Sequence, residues 1–206
     1  MAPDRQARQG ALRRGAAGGR RGVPVGSVAL AAVAAFAATN LDDLLLLVAW
    51  FAAGARTRAV VAGQYLGIAA LFMLSMVAAV LAWSVPPELL AWLGLLPVLY
   101  GISMLVHPDS GTGSSPVPPA TGTLAIASVT IANGSDNLGT YIPLFANSSA
   151  GELGGMATVF AVMTALWCLL ARWLARHPRA GATVRQFGPK AVPWVLVGIG
   201  LWILLR

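Results

Sequence analysis

The sequence predicts an all-α integral membrane protein with six transmembrane helices arranged as two inverted three-helix repeats. Three observations lead to this fold class: an apolar composition, six apolar segments, and a short acidic motif that occurs twice. The chain has 206 residues, of which 57% are hydrophobic and 10% charged, and its mean hydropathy is +0.73. Soluble domains carry about 25% charged residues. A soluble fold of this length is therefore excluded.

The basic character of the chain does not indicate a nucleic-acid partner. The formal net charge is +7, but the basic residues are concentrated in an N-terminal tail and between apolar segments. This distribution is typical of membrane topology signals rather than of a binding patch for nucleic acid. The single cysteine, Cys168, excludes an internal disulfide and a CxxC redox pair.

The chain divides into a disordered basic tail, residues 1–22, and a transmembrane domain, residues 23–206. Within the domain we expect a first repeat at 23–106, a linker at 107–122 and a second repeat at 123–206. Each apolar segment approaches the ~20 residues that a helix needs to cross a bilayer, although the last is short. The six segments are 25–53, 59–83, 88–106, 122–146, 153–175 and 190–205.

The two repeats are recognised by their acidic motifs. Asp42-Asp43-Leu44 aligns without a gap on Asp136-Asn137-Leu138, at an offset of 94 residues. Because three crossings per repeat is an odd number, the second copy must enter the membrane from the opposite side. This is the inverted-repeat plan of many secondary transporters, in which the substrate site lies near the midplane where interrupted helices meet.

The acidic residues are costly in these positions. Three ionised carboxylates inside a membrane, Asp42, Asp43 and Asp136, would cost roughly 8–10 kcal/mol if unpaired. Arg172 is the only plausible basic partner within the apolar segments, and one arginine cannot neutralise three acids. We therefore expect a bound cation or protons to balance the charge. The alternative is structural, with protonated or paired acids that hold helices together.

The residues around the two motifs supply oxygen ligands, which suit hard or borderline divalent cations. The second motif contains Gly134 and is followed by Pro143, so we expect its helix to be kinked or unwound there. Gly63 and Gly67 flank Gln64 with a spacing that favours close helix packing. The predicted metal ligands are Asp42, Asp43, Asp136, Asn40, Asn133 and Asn137, with Thr39, Gln64, Thr130 and Tyr141 as accessory residues.

Orientation follows from the basic residues of the connections. Arg56 and Arg58 follow the first segment, and Arg176, Arg179, Arg185 and Lys190 follow the fifth. The positive-inside rule then places both connections in the cytoplasm and both termini outside, whereas the arginine-rich tail favours the reverse.

The motifs resemble those of the cadmium resistance transporter family, within the lysine-exporter superfamily of small bacterial membrane proteins. The likeness lies in three stretches: Thr39-Asn40-Leu41-Asp42-Asp43-Leu44, Thr130-Ile131-Ala132-Asn133-Gly134-Ser135-Asp136-Asn137-Leu138, and Tyr141-Ile142-Pro143-Leu144-Phe145. Gly63-Gln64-Tyr65-Leu66-Gly67 and Leu93-Gly94-Leu95-Leu96-Pro97 extend it. Leu41 and Ser135 stand where the family pattern would have Ile and Gly.

The resemblance implies export of a heavy-metal cation, with cadmium as the first candidate, across a bacterial inner membrane. Cadmium is soft and prefers thiolate, whereas these motifs offer oxygen, so manganese or calcium is an alternative cargo. Export of a cationic amino acid is a second candidate transport function. An intramembrane aspartyl protease is a remote third, since its typical Tyr-Asp and Gly-x-Gly-Asp motifs are missing.

The resemblance implies no enzymatic activity and no resident cofactor, because the cation is cargo and protons could supply the coupling. The expected partners are the lipid bilayer and the cation, with no nucleic acid. A homo-oligomer is compatible with the sequence.

Overall fold

A computed structural model describes most of the chain from residue 25 onward. The described residues are 25–82, 84, 86, 89–90, 92–107 and 122–205. The predicted basic tail and nearly all of the predicted linker lie outside these residues, so both remain predictions.

The described residues are almost entirely helical, with no β-strand among them. They form α1 (Val25–Thr39), α2 (Leu41–Ala52), α3 (Thr57–Ala82), a 3-10 turn (Trp92–Gly94), α4 (Leu95–Val106), α5 (Thr123–Asn133), α6 (Ser135–Ala146), α7 (Ala150–Arg176) and α8 (Pro178–Leu205). The all-helical class predicted from the sequence is confirmed.

Three of these helices, α3, α7 and α8, are long and apolar enough to cross a membrane. The pair α1 and α2 would make a fourth span, bent by 56° at the break between them. The stretches Trp92–Val106 and Thr123–Asn133 are apolar but shorter. By length and composition the described residues therefore contain three spans, or four with the bent pair, and the six predicted spans remain a prediction.

The last helix begins much earlier than the sequence predicts. The sixth segment was expected at 190–205, after a basic loop, but α8 starts at Pro178 and runs through Pro189 and Pro193. Pro178 is favourable there because a first-turn residue needs no backbone N–H donor. Arg179, Arg185 and Lys190 are exposed on its first half, so hydropathy detects only the apolar second half.

The order of elements repeats along the chain. A break at Asn40 separates α1 from α2, and a break at Gly134, 94 residues later, separates α5 from α6. The helices after the two breaks are each 12 residues long, and each is followed by a long helix, α3 or α7. The α7 helix starts in a capping box, in which Ser149 and Glu152 each accept a hydrogen bond from the other's backbone N–H.

Each long helix packs on the broken helix of the other half. On α3, Gly63 faces Ile126 and Gly67 faces Thr130, so α3 and α5 run in the same direction. A Cβ at either glycine would lie 2.6 Å from the facing side chain, which confirms the close packing expected from their spacing.

The reciprocal contact joins α7 to α1 and α2. Phe36 contacts Phe160 edge-to-face, and further along Phe51 and Arg172 line one cavity, so these helices also run in the same direction. The aromatic core lies here, between the two breaks and the long helices. It contains Phe36, Phe72, Tyr141, Phe145 and Phe160, with ring centroids 4.7–6.1 Å apart.

The third helices of the two halves, α4 and α8, pack against each other in opposite directions. Gly94 lies against Gly200, and Gly101 lies against the carbonyl of Pro193. A Cβ at Gly94 would come within 2.7 Å of Gly200 O, and one at Gly200 within 2.5 Å of Gly94 O. Glycine is therefore required on both sides of this crossing, as is common where membrane helices approach closely.

Candidate functional site

The two helix breaks meet in the interior and bring the predicted ligands together. At the first break Asn40 leaves the helical conformation, at φ −112° and ψ 20°, and the chain turns by 56°. At the second break Gly134 has φ −84° and ψ 23°, and the kink expected there is confirmed. A Cβ at Gly134 would overlap the side chain of Leu71, so α3 passes close to this break.

The first group of polar side chains, the carboxylate set, consists of Asp42, Asp43, Gln64, Thr130 and Asn133. Asn133 Nδ2 donates to Asp42 Oδ2 and, at 3.3 Å, to Asp43 Oδ1. Gln64 Nε2 donates to Asp43 Oδ2 at 2.9 Å, while Gln64 Oε1 accepts from Thr130 Oγ1 at 2.9 Å. Asp42 Oδ1 accepts from the backbone N–H of Asp43 at 2.9 Å. All four carboxylate oxygens of the aspartate pair therefore accept a hydrogen bond.

The second group, the neutral set, consists of Thr39, Asn40, Asn137 and Tyr141, and each of these residues is at most 1% exposed. Asn40 Nδ2 lies 2.7 Å from Tyr141 Oη, 3.1 Å from Thr39 Oγ1 and 3.2 Å from Asn137 Oδ1. The backbone carbonyl of Phe36 is 2.9 Å from the same nitrogen. Four oxygens thus surround one amide nitrogen that has two hydrogens to donate.

Asp136 lies apart from both groups. Its Oδ1 accepts from the backbone N–H of Asn137 at 2.9 Å. Asp42 and Asp43 are its electrostatic neighbours, but within the described ranges no side-chain hydrogen bond joins it to either. Among the described residues, no three His, Cys, Asp or Glu side chains form a group that could hold a metal ion. Any metal site built here must therefore use amide or hydroxyl ligands beside the carboxylates.

Apart from Asp136, the predicted ligands thus separate into two sets, one that contains two carboxylates and one that is neutral, on either side of the breaks. Gln64, predicted as an accessory residue, is fully buried and links α2 to α5 through Asp43 and Thr130.

Trp167 was not expected at the site from the sequence. Its Nε1 donates to the backbone carbonyl of Asn40 at 2.7 Å, and its ring packs edge-on against Phe36 with centroids 5.5 Å apart. Asn40 O also accepts from Leu44 N at 3.0 Å. Trp167 is 127 residues from Asn40 along the chain, and an apolar helix with a tryptophan carries no local signal of such a bond.

The other candidate residues lie away from the site. Arg172 is exposed near the end of α7 and lines a cavity with Phe51 and Arg176. In the part of the chain that the structure describes, no cationic side chain contacts the three carboxylates. Cys168 is buried among apolar residues that include Leu44 and Leu47, as expected of a packing residue rather than a ligand.

Comparison with known proteins gives one match. The sequence model of a family described as "Cadmium resistance transporter" matches residues 36–206, which include both helix breaks and every residue of the two sets. A search of the curated proteins and a search of the solved structures each gave no match.

Proposed function

The chain belongs to the cadmium resistance transporter family, and from this premise we propose that it exports a divalent heavy-metal cation, with cadmium as the first candidate, through a site at the carboxylate set. Its long apolar helices make it a multi-pass membrane protein, and we place it in the bacterial inner membrane. The family is one of transporters, which favours transport over catalysis.

The proposal rests on one observation, the position of Asn133 Nδ2. This nitrogen bonds to a carboxylate oxygen of Asp42 and to one of Asp43, so a single donor lies between two adjacent acids. A divalent cation is favoured at the same point, because it supplies a full charge where an amide supplies only a dipole. On cation entry the Asn133 amide would turn its Oδ1 inward and become a ligand.

Charge balance supports a cation as cargo. Asp43 is 2% exposed and Asp42 is partly buried, and no cationic side chain of the described residues contacts either. An ionised carboxylate within a membrane costs roughly 2.5–3.5 kcal/mol on insertion scales. A bound divalent cation would offset two such charges, and Asp136 would add a third carboxylate as the cation passes.

The ligand chemistry favours release over tight retention. The carboxylate set offers carboxylate, amide and hydroxyl oxygens, whereas soft cadmium binds most strongly to thiolate. An exporter must release its cargo, so a weak oxygen site suits the task. Manganese and calcium prefer such oxygen ligands, and they are therefore included in the test below.

The helix directions support an inverted repeat. Asn133 lies against Asp43, Asn137 against Asn40, and Tyr141 against Thr39. Residue numbers thus increase along one broken helix in the direction in which they decrease along the other. The two broken helices therefore run in opposite directions. We infer that the halves are related by an axis in the membrane plane and rock against each other to expose the site alternately.

Neutralising variants test the proposal. Asp43→Asn and Asp136→Asn keep the side-chain shape and remove one charge each, so we expect normal expression and loss of metal tolerance in cells. Glu152→Gln is the matched control, because it neutralises a carboxylate outside both sets and can retain the α7 capping box. Growth and cell metal content should be measured across cadmium, manganese and calcium, with lysine as the amino-acid alternative.

The decisive variant is the double substitution Asp43→Asn, Asp136→Asn. Full tolerance from a well-expressed double variant would mean that the acids are structural. Loss of lysine tolerance alone would assign the cargo to cationic amino acids.

A further inference from the structure

The amide nitrogen of Asn40 has more acceptors around it than it has hydrogens to donate. Asn40 Nδ2 has two hydrogens and four oxygens within 3.2 Å, those of Phe36, Thr39, Asn137 and Tyr141. The Thr39 hydroxyl lies 3.0 Å from both Ala35 O and Tyr141 Oη, so it can donate its one hydrogen to only one of them. The four oxygens therefore form a cage around the Asn40 amide nitrogen.

A second observation points to a ligand in this cage. Asn40 is 0% exposed, and its Oδ1 has no hydrogen-bond partner among the described residues. A buried amide oxygen without a partner costs about 1–3 kcal/mol. The free energy of this network would be lower if the Asn40 amide turned, so that Oδ1 joined the other four oxygens and a cation occupied the place of Nδ2.

The backbone favours a cation rather than an anion at this point. Phe36 O lies in the last turn of α1, where the helix dipole places partial negative charge. It accepts from Asn40 N at 3.0 Å, and its second lone pair is directed to the ion. In broken-helix transporters, carbonyls at half-helix C-terminal ends hold coupling ions such as Na⁺. The carbonyl of Asn40 itself is taken by Trp167 and Leu44, so it does not compete for the ion.

We propose that Thr39, Asn40, Asn137, Tyr141 and the carbonyl of Phe36 form a second cation site, which takes a monovalent cation whose gradient drives export. Uncharged oxygens suit a monovalent ion better than a divalent one, because five neutral ligands leave a charge of +2 uncompensated. This inference rests on the proposed export function, since the ion is the coupling partner of the divalent cargo.

The two sites are coupled by position. Asn40 forms the break itself, and Asp42 and Asp43 lie in the first turn of the helix that follows it. Turning the Asn40 amide would break its bonds to Asn137 and Tyr141 on α6, which join the two broken helices. Occupancy of the neutral set would therefore alter the contact between the two halves on which alternating access depends.

The full-length protein in proteoliposomes provides the test. Cadmium flux is measured with a gradient of sodium, of potassium, or of N-methylglucamine, a cation too large for the cage. Equilibrium binding of radioactive sodium and rubidium to the purified protein is measured in parallel. We expect flux to rise with sodium or potassium and to stay at its basal level with N-methylglucamine.

Two variants remove single ligands from the cage. Tyr141→Phe deletes only a hydroxyl, and Thr39→Val replaces a hydroxyl with a methyl group of similar size. Each should raise the concentration of sodium or potassium for half-maximal flux by about tenfold or more, and saturating ion should restore the rate. Thr164→Val is the matched control, because that buried hydroxyl bonds only to Phe160 O of its own helix.

The second site would be overturned if cadmium flux did not change with the sodium or potassium gradient and neither ion showed saturable binding. The cage would then be a structural network. A lower rate that saturating ion does not restore in Tyr141→Phe and Thr39→Val would also overturn it. If the protein carries no divalent cation at all, the export proposal fails, and the binding of sodium or rubidium still decides whether the neutral set holds an ion.

Discussion

Gln64 Nε2 donates a 2.9 Å hydrogen bond to Asp43 Oδ2, and this buried contact joins α3 to the helix that follows the first break. Gln64 Oε1 accepts at the same time from Thr130 of the second half. A single amide thus connects an acid of the first half of the chain to a hydroxyl of the second half. The position of the carboxylate set depends on this bridge.

The first prediction concerns Gln64→Leu. The substitution keeps the volume but leaves Asp43 Oδ2 and Thr130 Oγ1 without their partner, at a cost of about 1–3 kcal/mol for each buried group. We expect a lower melting temperature in detergent and loss of metal tolerance in cells. Tyr65→Phe, on the next residue, is the control, because it removes a bond to Ala161 O on the exposed face. Wild-type melting and tolerance for Gln64→Leu would show that the bridge is dispensable.

The second prediction concerns the close contact of α3 with α5. In Gly67→Ala the new Cβ would lie 2.6 Å from Thr130 Cβ, so the two helices must separate. Overpacking of this kind costs about 1–3 kcal/mol, and the shift would also lengthen the Gln64–Thr130 bond. Thermal melting should show the loss.

Gly155→Ala on α7 is the matched control for that experiment, since nothing lies within 4 Å of its added Cβ. It should leave the melting temperature unchanged or raise it, because alanine has the higher helix propensity. Equal melting of the two alanine variants would contradict the close packing.

The break at Gly134 could be predicted, and the candidate ligands could be named, because their physical signal is local, whereas the first break, at Asn40, was not expected within the segment 25–53. Two adjacent acids in an apolar stretch carry a large free-energy cost of insertion into a membrane. Gly134 between polar residues is a recognisable helix interruption. The same local signal, repeated 94 residues later, predicted that the motifs would meet.

The parts that were missed depend on distant contacts or on the membrane boundary. The bond from Trp167 to Asn40 O joins residues 127 positions apart and needs no polar neighbour in sequence. The start of α8 was missed because residues 178–189 are basic and contain proline. Pro189 removes one helical hydrogen bond to Arg185 O, so the sequence of this stretch does not favour a helix. The division of the ligands into two sets follows from the antiparallel crossing of the two broken helices, which places Asn133 beside Asp43 and Asn137 beside Asn40. Spacing along the sequence cannot reveal such a crossing.

The third prediction concerns Trp167→Phe. Phenylalanine retains ring packing against Phe36 but loses the 2.7 Å bond to Asn40 O. Asn40 O keeps its bond from Leu44 N, so we expect the protein to fold with a loss of about 1 kcal/mol. Because the break at Asn40 is then no longer held by Trp167, we expect slower metal flux in proteoliposomes. Trp173→Phe, on the exposed face beside His177, serves as the control. An unchanged flux for Trp167→Phe would show that the bond from Trp167 to Asn40 O has no role in transport.

The last prediction concerns orientation. The turn after α2 and the end of α7 line a common cavity through Thr57 and Arg176, so they lie at the same end of the molecule. Arg56, Arg58, Arg176 and Arg179 therefore lie at that end, and the positive-inside rule places it in the cytoplasm. The turn between α6 and α7 lies at the other end, where Asn147 Nδ2 bonds to Leu90 O at 3.1 Å.

Three single-cysteine variants check this in a Cys168→Ala background. Cysteines replacing Arg56 and Arg179, both exposed, should resist an impermeant thiol reagent added outside intact cells and react once the membrane is opened. A cysteine replacing the exposed Ser149 should react from outside without opening. The opposite pattern would reverse the orientation, and labelling of positions 56 and 179 from different sides would contradict the parallel packing of α7 with α1 and α2.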